Sequence, residues 1–339
     1  MSEPIRIGVL GCGRIGRWHA ELIAKRIPGL ALTRVFDVRR ESADEVAEAL
    51  GVAVAATPEE LIEADDVDAI AICSSTDTQV DLLVAGSAAG KPIFCEKPLS
   101  LDLAEVDRGL AAVDAAEVLL QVGFNRRYDP SHREVRERVA NGDIGDLHLV
   151  RITSRDPAPP PIAYIAVSGG IFCDMTIHDF DMARFVTGSE IEEVYATGAV
   201  RVDPAIGDAG DLDTAVVVLR HVDGVLTTID NSRQAVYGYD QRVEAFGSGG
   251  MVGSENALTT TTILRNASGG QQSTLPDFFR ERYEMSYLAE WEDFAVMVRD
   301  GGPSPVDGRD GREALIAGLA AWTSVRESRS VLTSEVSPA

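Results

Sequence analysis

The sequence predicts an α/β chain in two parts: a doubly wound parallel sheet at the N-terminus, and a C-terminal α+β domain carrying a large, open, mostly antiparallel sheet. Three observations predict this. A glycine-rich turn joins the first strand to the first helix, strands and helices alternate up to residue 122, and after Gly123 the alternation gives way to β-rich stretches with a few helices. At 339 residues the chain is too long for one small core and suits two.

The apolar run 5–10 reads as a buried strand, and Gly11-Cys12-Gly13-Arg14-Ile15-Gly16 turns it into a helix through Trp18, Leu22 and Ile23. A strand over 31–36 ends at Asp37, and a polar helix starts near Ser42. Strands over 69–73, 92–95 and 118–122 then alternate with helices over 78–89 and 103–115, the arrangement of a parallel sheet covered on both faces. A first domain over 1–124 and a second over 125–339 follow. The second opens with a helix over 130–140, the turn Asn141-Gly142-Asp143 and a strand over 147–153. Further strands are expected over 193–200, 214–219, 224–229 and 242–246, and helices over 280–298 and 311–324, the last packing back on the first domain. Pro157, Pro159, Pro160, Pro161 and Gly169-Gly170 predict an irregular loop over 155–170, a candidate substrate lid.

The composition excludes several function classes. With 54 acidic and 31 basic residues the net charge is −23, which repels a phosphate backbone, so no nucleic-acid partner is expected. No apolar run approaches the roughly 20 residues of a membrane helix, and the start shows no secretory pattern, so a cytoplasmic protein is expected. Cys12, Cys73, Cys95 and Cys173 are scattered with no C-x-x-C pair, which predicts reduced thiols, no disulfide and no metal site.

Each glycine of the G-x-G-x-x-G turn has a mechanical use. Gly11 permits the tight turn, Gly13 lets a pyrophosphate approach backbone amides, and Gly16 allows close packing of helix on sheet. Asp37, 21 residues after Gly16, is placed to accept hydrogen bonds from an adenosine ribose. These are the marks of a Rossmann domain. Asp37 repels a 2′-phosphate and favours NAD, although Arg39 and Arg40 are nearby cations that can accommodate one.

Cys95-Glu96-Lys97-Pro98 lies at the C-terminal end of a predicted strand, the edge at which open α/β sheets bind ligands. Asp174 and His178 stand four apart on a predicted helix, so their side chains share a face. Oxidation of an alcohol needs a base for the hydroxyl proton while hydride leaves the carbon, and a histidine titrating near neutrality suits that work. His178 is the candidate base, the Lys97 ammonium stabilises the developing alkoxide, and Asp174 holds charge and geometry.

With Gly11-x-Gly13-x-x-Gly16, Glu96-Lys97-Pro98 and Asp174-x-x-x-His178 in order, the chain resembles the glucose-fructose oxidoreductase and inositol dehydrogenase (Gfo/Idh/MocA) superfamily over nearly its whole length. The runs Gly123-Phe124-Asn125-Arg126-Arg127-Tyr128-Asp129-Pro130, Ser154-Arg155-Asp156-Pro157, 174–184 and 231–242 look most like the inositol 2-dehydrogenases. That resemblance implies NAD-dependent oxidation of myo-inositol at its axial hydroxyl to the 2-keto inositol, in a homotetramer joined through the open sheet faces. It also implies Lys97, Asp174 and His178 as catalytic positions. The cofactor set it implies is Gly11, Gly13, Arg14, Ile15, Gly16, Asp37, Ser74, Ser75, Thr76, Gln79, Glu96, Lys97, Gln121 and Asn125. Many members carry histidine where this chain has Gln79, a residue that can still hydrogen-bond. Substrate contacts carried over by motif are Arg127, Asp156, Asp179, Tyr237 and Tyr283, beside the catalytic three. Plainer roles compete: Arg127 can pair with an acid such as Asp129, and Tyr237 can be a core ring.

Two other functions compete as well. A related scyllo-inositol or glucose-type dehydrogenase differs by a few pocket residues. A dinucleotide-sensing regulator keeps the fold without chemistry, and has no need of a proton-transfer set such as Lys97, Asp174 and His178.

Overall fold

The computed structural model describes residues 3–336, in two compact units. The first comprises the chain up to Asn125 together with Tyr287–Glu313, and the second Arg126–Ser286 together with the chain from Ala314.

The first unit runs β1 (Ile5–Leu10), α1 (Arg14–Lys25), β2 (Leu30–Phe36), α2 (Arg40–Leu50), β3 (Ala53–Val54), α3 (Pro58–Ile62), β4 (Ala69–Ile72), α4 (Thr76–Ala88), β5 (Ile93–Cys95), α5 (Leu103–Ala116) and β6 (Leu120–Val122). Its six strands are all parallel in the order β3-β2-β1-β4-β5-β6. This is the doubly wound Rossmann order, with its reversal between β1 and β4. Every residue of β4 and β5 is buried, because helices cover both faces and no strand face meets water.

The second unit continues with α6 (Pro130–Ala140), β7 (Leu147–Arg155), α7 (Ile162–Ile165), α8 (Gly170–Asp174), α9 (Ile177–Thr187), β8 (Ile191–Ala199), α10 (Pro204–Asp208), β9 (Thr214–His221), β10 (Leu226–Ser232), β11 (Asp240–Gly247), β12 (Gly250–Ser254), β13 (Ile263–Asn266) and β14 (Gly269–Gln272). Then come α11 (Phe279–Asp300), α12 (Gly308–Glu327) and β15 (Val331–Leu332). The seven-stranded sheet has the order β12-β11-β7-β10-β9-β8-β15, antiparallel except for β7 beside β10. Strand β9 alternates strictly. Ala215, Val217 and Leu219 enter a core with Phe172, Phe180 and Val186, while Val216 and Val218 stay exposed on the other face.

Three expectations need correction. Residues 287–313 lie in the first unit rather than the second, because Trp291 stacks on Phe94 at 4.5 Å, Phe294 packs edge-on to it, and Val122 N–H donates to Val306 C=O at 2.9 Å. Helix α12 belongs to the first unit only through Glu313, where Arg312 pairs with Asp107 at 2.6 Å. From Ala314 it enters the second core through Ala317, Ala320 and Ala321, small residues that let it approach closely. The proline-rich stretch is not wholly irregular, since α7 forms one turn directly after Pro161.

Candidate functional site

In the first unit the glycine turn makes an open cradle. Gly11 has φ +101°, and a Cβ there would lie 2.6 Å from the Cys73 backbone. A Cβ on Gly16 would sit 1.9 Å from Gly11 C=O, so α1 can lie this close to the sheet only without one. Gly13 caps α1 with no side-chain hydrogen bond, and nothing lies within 4 Å of where its Cβ would be. The space beside Gly13 at the start of the helix is therefore open to a ligand, as an anion site at a helix N-terminus requires. At the end of β2, Asp37 accepts Cys12 N–H at 2.7 Å and Arg39 N–H at 2.8 Å, one on each oxygen, which leaves further lone pairs for ribose hydroxyls. Arg40 is engaged by Asp44 at 2.7 Å. At the start of α4, Gln79 donates to Ser74 C=O at 3.2 Å, and its buried Oε1 has no partner among the described residues. Thr78 Oγ1 donates to Ser74 Oγ at 2.8 Å. Open amides, a fixed carboxylate and an unused amide oxygen fit a dinucleotide.

A buried chain of hydrogen bonds sits behind Lys97. Trp291 Nε1, which can only donate, gives its proton to His19 Nδ1 at 2.8 Å. His19 Nε2 must then carry the imidazole hydrogen, and it donates to Glu96 Oε1 at 2.7 Å. Glu96 Oε2 accepts Lys97 N–H at 3.2 Å. Gly123 leaves room for this carboxylate, since a Cβ there would stand 3.1 Å from Glu96 Cδ. Burial, with the Glu96 carboxyl adding to it, pushes Glu290 well above the usual carboxylate range. The Glu290 carboxyl has no partner among the described residues, and its backbone oxygen accepts Gln121 Nε2 at 3.1 Å. His19, Trp291 and Glu290 were not legible as site residues, because 272 positions separate the first two.

In the second unit the ends of β7 and β10 and the start of β11 share one sheet edge, with Ser232 opposite Arg155 and Gln241 opposite Ser154. A buried polar cluster forms there. Asp179 accepts Arg126 Nη1 at 2.6 Å and Asn231 Nδ2 at 2.8 Å, and Arg126 also donates to Ser154 Oγ at 3.2 Å. Ser154 Oγ and Tyr283 OH both donate to Gln241 Oε1, at 3.0 and 3.4 Å. Tyr239 hydrogen-bonds Asp156 and stacks edge-on to Tyr283, their centroids 6.0 Å apart. Two buried atoms in this cluster, Asp156 Oδ1 and Gln241 Nε2, have no partner among the described residues. Burial pushes the Asp156 carboxyl up to about 6, against the nearby Arg126 and Arg233 guanidiniums. That is above its ordinary 3.8, so the stability it contributes as a neutral acid is complete below pH 3.8 and is lost as pH rises through about 6.

The structure brings Asp156, Asp179 and Tyr283 together as substrate-contact candidates, and adds Arg126, Asn231 and Tyr239. Arg127 and Tyr237 are engaged elsewhere. Arg127 forms a two-pronged pair with Asp181, at 2.9 and 2.5 Å, over the Phe185 ring. Arg126 and Arg127 lie in a 3₁₀ turn, where neighbouring side chains diverge by about 120°. Tyr237 donates to Asp240 at 2.7 Å, accepts from Arg155 at 3.0 Å, and is 44% exposed.

Asp174 and His178 do not share one helix. Asp174 ends α8, and His178 follows in the first turn of α9. The break arises because Ile171 C=O accepts Met175 N–H, Thr176 N–H and Thr176 Oγ1 together, while Thr176 Oγ1 also lies 2.7 Å from Asn231 Oδ1. Asp174 Oδ1 accepts Tyr164 OH at 2.8 Å, and its Oδ2 accepts Arg233 Nη1 at 3.2 Å.

Residues 5–124 match the model of an oxidoreductase family with an NAD-binding Rossmann fold, and residues 132–253 match the GFO/IDH/MocA C-terminal domain. The chain is 54% identical to the myo-inositol 2-dehydrogenase of Thermotoga maritima, over 98% of this chain and 99% of that protein. It matches the crystal structure of a myo-inositol dehydrogenase from Corynebacterium glutamicum with a TM-score of 0.93 and 44% identity, over 99% of this chain and 100% of that one. It also matches a scyllo-inositol dehydrogenase from Lactobacillus casei with bound NAD(H) and scyllo-inositol, with a TM-score of 0.91 and 30% identity, over 98% and 100% of the two chains.

The open side of Gly13 yields a test. G13A meets no atom in the folded chain, so its melting temperature should stay at that of the parent. The added methyl should weaken NAD binding about tenfold, or roughly 1.4 kcal/mol, in a fluorescence titration. Unchanged affinity would remove Gly13 from the pyrophosphate cradle.

Proposed function

This chain belongs to the GFO/IDH/MocA oxidoreductase family and has its NAD-binding Rossmann fold, and we propose that it oxidises myo-inositol to the 2-keto inositol with NAD. The observation that carries this reading is the cluster of buried Arg126, Asp179, Asn231 and Tyr283 and half-buried Asp156 and Tyr239, with Asp156 Oδ1 and Gln241 Nε2 left over. Each hydroxyl of a polyol donates and accepts, and unpaired buried hydroxyls are costly, so a site that supplies both kinds of group selects such a ring. Arg126 and Tyr239 take the substrate-binding roles in place of Arg127 and Tyr237.

Gly11, Gly13, Gly16, Asp37 and Gln79 would hold the dinucleotide, and its nicotinamide would supply the hydride acceptor. His178 takes the hydroxyl proton, the Lys97 ammonium stabilises the alkoxide as it forms, and Asp174 fixes geometry and charge. A pure sensor has no use for these three. Asp37 favours NAD over NADP because its carboxylate opposes a 2′-phosphate. The 30% identity to a scyllo-inositol dehydrogenase keeps oxidation of scyllo-inositol as a second reading.

We also infer a homotetramer in the cytoplasm. Tyr195, Val216, Val218 and Leu226 are 39–48% exposed on one face of the second sheet, an apolar area that a second copy covers. All four cysteines are free and buried, as suits a reducing compartment.

Four outcomes test these readings. Replacing Lys97 by Met should leave NAD affinity within about twofold and lower turnover by about 10²–10³. NAD reduction should be fastest with myo-inositol in a panel that includes scyllo-inositol and glucose, and a parent enzyme inactive on every inositol would end the substrate reading. Below about pH 6 protonation removes the Asp156 charge and turns one of its oxygens into a donor, so KM for inositol should climb as pH falls from 7 to 5, and D156N should flatten that dependence. V218E should lower the mass measured by light scattering below four chains, whereas an unchanged tetramer would place the interface elsewhere.

A further inference from the structure

Helix α8 is only five residues long, and a charged clamp grips both of its ends. At its start, Asp211 Oδ1 accepts Ile171 N–H at 2.8 Å. At its end stands Asp174. Arg233 joins the two, donating through Nη2 to Asp211 Oδ2 at 3.0 Å and through Nη1 to Asp174 Oδ2 at 3.2 Å. Arg233 has no exposed surface, and its Nε has no partner among the described residues. A guanidinium buried this way is a poor stabiliser, since well-packed apolar side chains of similar volume commonly serve a core as well or better. Its geometry suits another purpose. The planar fork fixes a carboxylate in direction as well as in charge.

We propose that Arg233 is a positioning residue for the reaction: anchored by Asp211, it aims the Asp174 carboxylate and supplies it with a counter-charge. This rests on the reading of Asp174 as a catalytic group. Three carboxylates act on the guanidinium, namely Asp174, Asp211 and Asp156. Asp156 is in turn opposed by Arg126 and bonded by Tyr239. Cys173, beside Asp174 on α8, is pushed up to about 12 by burial and by the Asp174 and Asp211 charges, so it stays a neutral thiol. Tyr164 OH covers the other Asp174 oxygen, and His178 follows in α9. Arg233 thus contacts Asp174 directly, and removing it takes one positive charge away from Asp174, Asp211 and Asp156 together.

The test is the pH profile of kcat at saturating inositol between pH 5 and 9, where the Asp156 titration, which acts on KM, does not set the limb; NAD affinity and melting temperature are recorded alongside. R233M should move the acid limb up by about one unit or more, with turnover lost more than 100-fold at pH 6 and recovered at least tenfold by pH 9. D211N removes a competing carboxylate, keeps the guanidinium, and should move the same limb down. Opposite displacements are not produced by a role in folding alone. If both variants fold and lose activity equally at every pH, the proposal is overturned. Should R233M not fold, the D211N profile decides, an unmoved limb overturning the proposal. D174N separates this idea from the reading beneath it. A folded, NAD-binding D174N that keeps turnover removes Asp174 from catalysis, whereas an inactive D174N with unmoved limbs in the other two variants removes Arg233 alone.

Discussion

The nucleotide-binding unit depends on one buried imidazole. His19 sits on α1, the helix that starts at the glycine turn, and it bonds both to Glu96 at the end of β5 and to Trp291 on the returning segment. The indole can only donate, so the tautomer of His19 follows from its neighbour, and the hydrogen on Nε2 has one recipient. The glycine cradle and the backbone of Lys97 are thereby tied to one rigid ring. Phe94, Tyr287 and Trp291 pack around that ring edge-on, at centroid distances of 5.1 to 5.6 Å. Without the imidazole, Glu96 Oε1 would lose its donor in a region where burial already holds Glu290 far above its ordinary range.

The second unit solves a different problem, that of holding many charges in a dry place. Arg126 takes Asp179, Arg127 takes Asp181, Arg282 takes Asp129, and Arg233 is shared by Asp174 and Asp211. Single buried charges are expensive, whereas paired ones fix each other in direction. A cluster pre-set in this way is ordered before any ligand arrives, which is the condition under which hydrogen bonds contribute most to binding and catalysis. Asp156 stands apart, its proton affinity raised and one oxygen without a partner among the described residues.

Local features were legible in the sequence. The glycine turn, Asp37 at the end of β2, the strand-end Lys97 and the alternation of β9 each follow from a few adjacent residues obeying one rule of geometry. Features set by distant partners were not. The break between Asp174 and His178 comes from Thr176 sharing the Ile171 carbonyl and meeting Asn231, 55 residues on. The choice between Arg126 and Arg127 turns on the rotation per residue of a 3₁₀ turn. Tyr237 and Tyr239 flank Gly238, whose φ of +112° redirects the chain just before β11, so neither strand nor helix periodicity could say which ring goes inside. The return of residues 287–313 to the first unit lacked any motif at all.

That return has a consequence for how the protein is made. A ribosome finishes all six strands of the first sheet before it has translated Trp291, and it translates Arg126–Ser286, most of the second unit, in between. The usual order, in which the N-terminal portion of a nascent chain completes its fold first, is therefore unavailable here. Until the late segment emerges, Phe94 and the His19 ring lack their covering aromatic side chains, and the newborn Rossmann portion exposes that apolar surface.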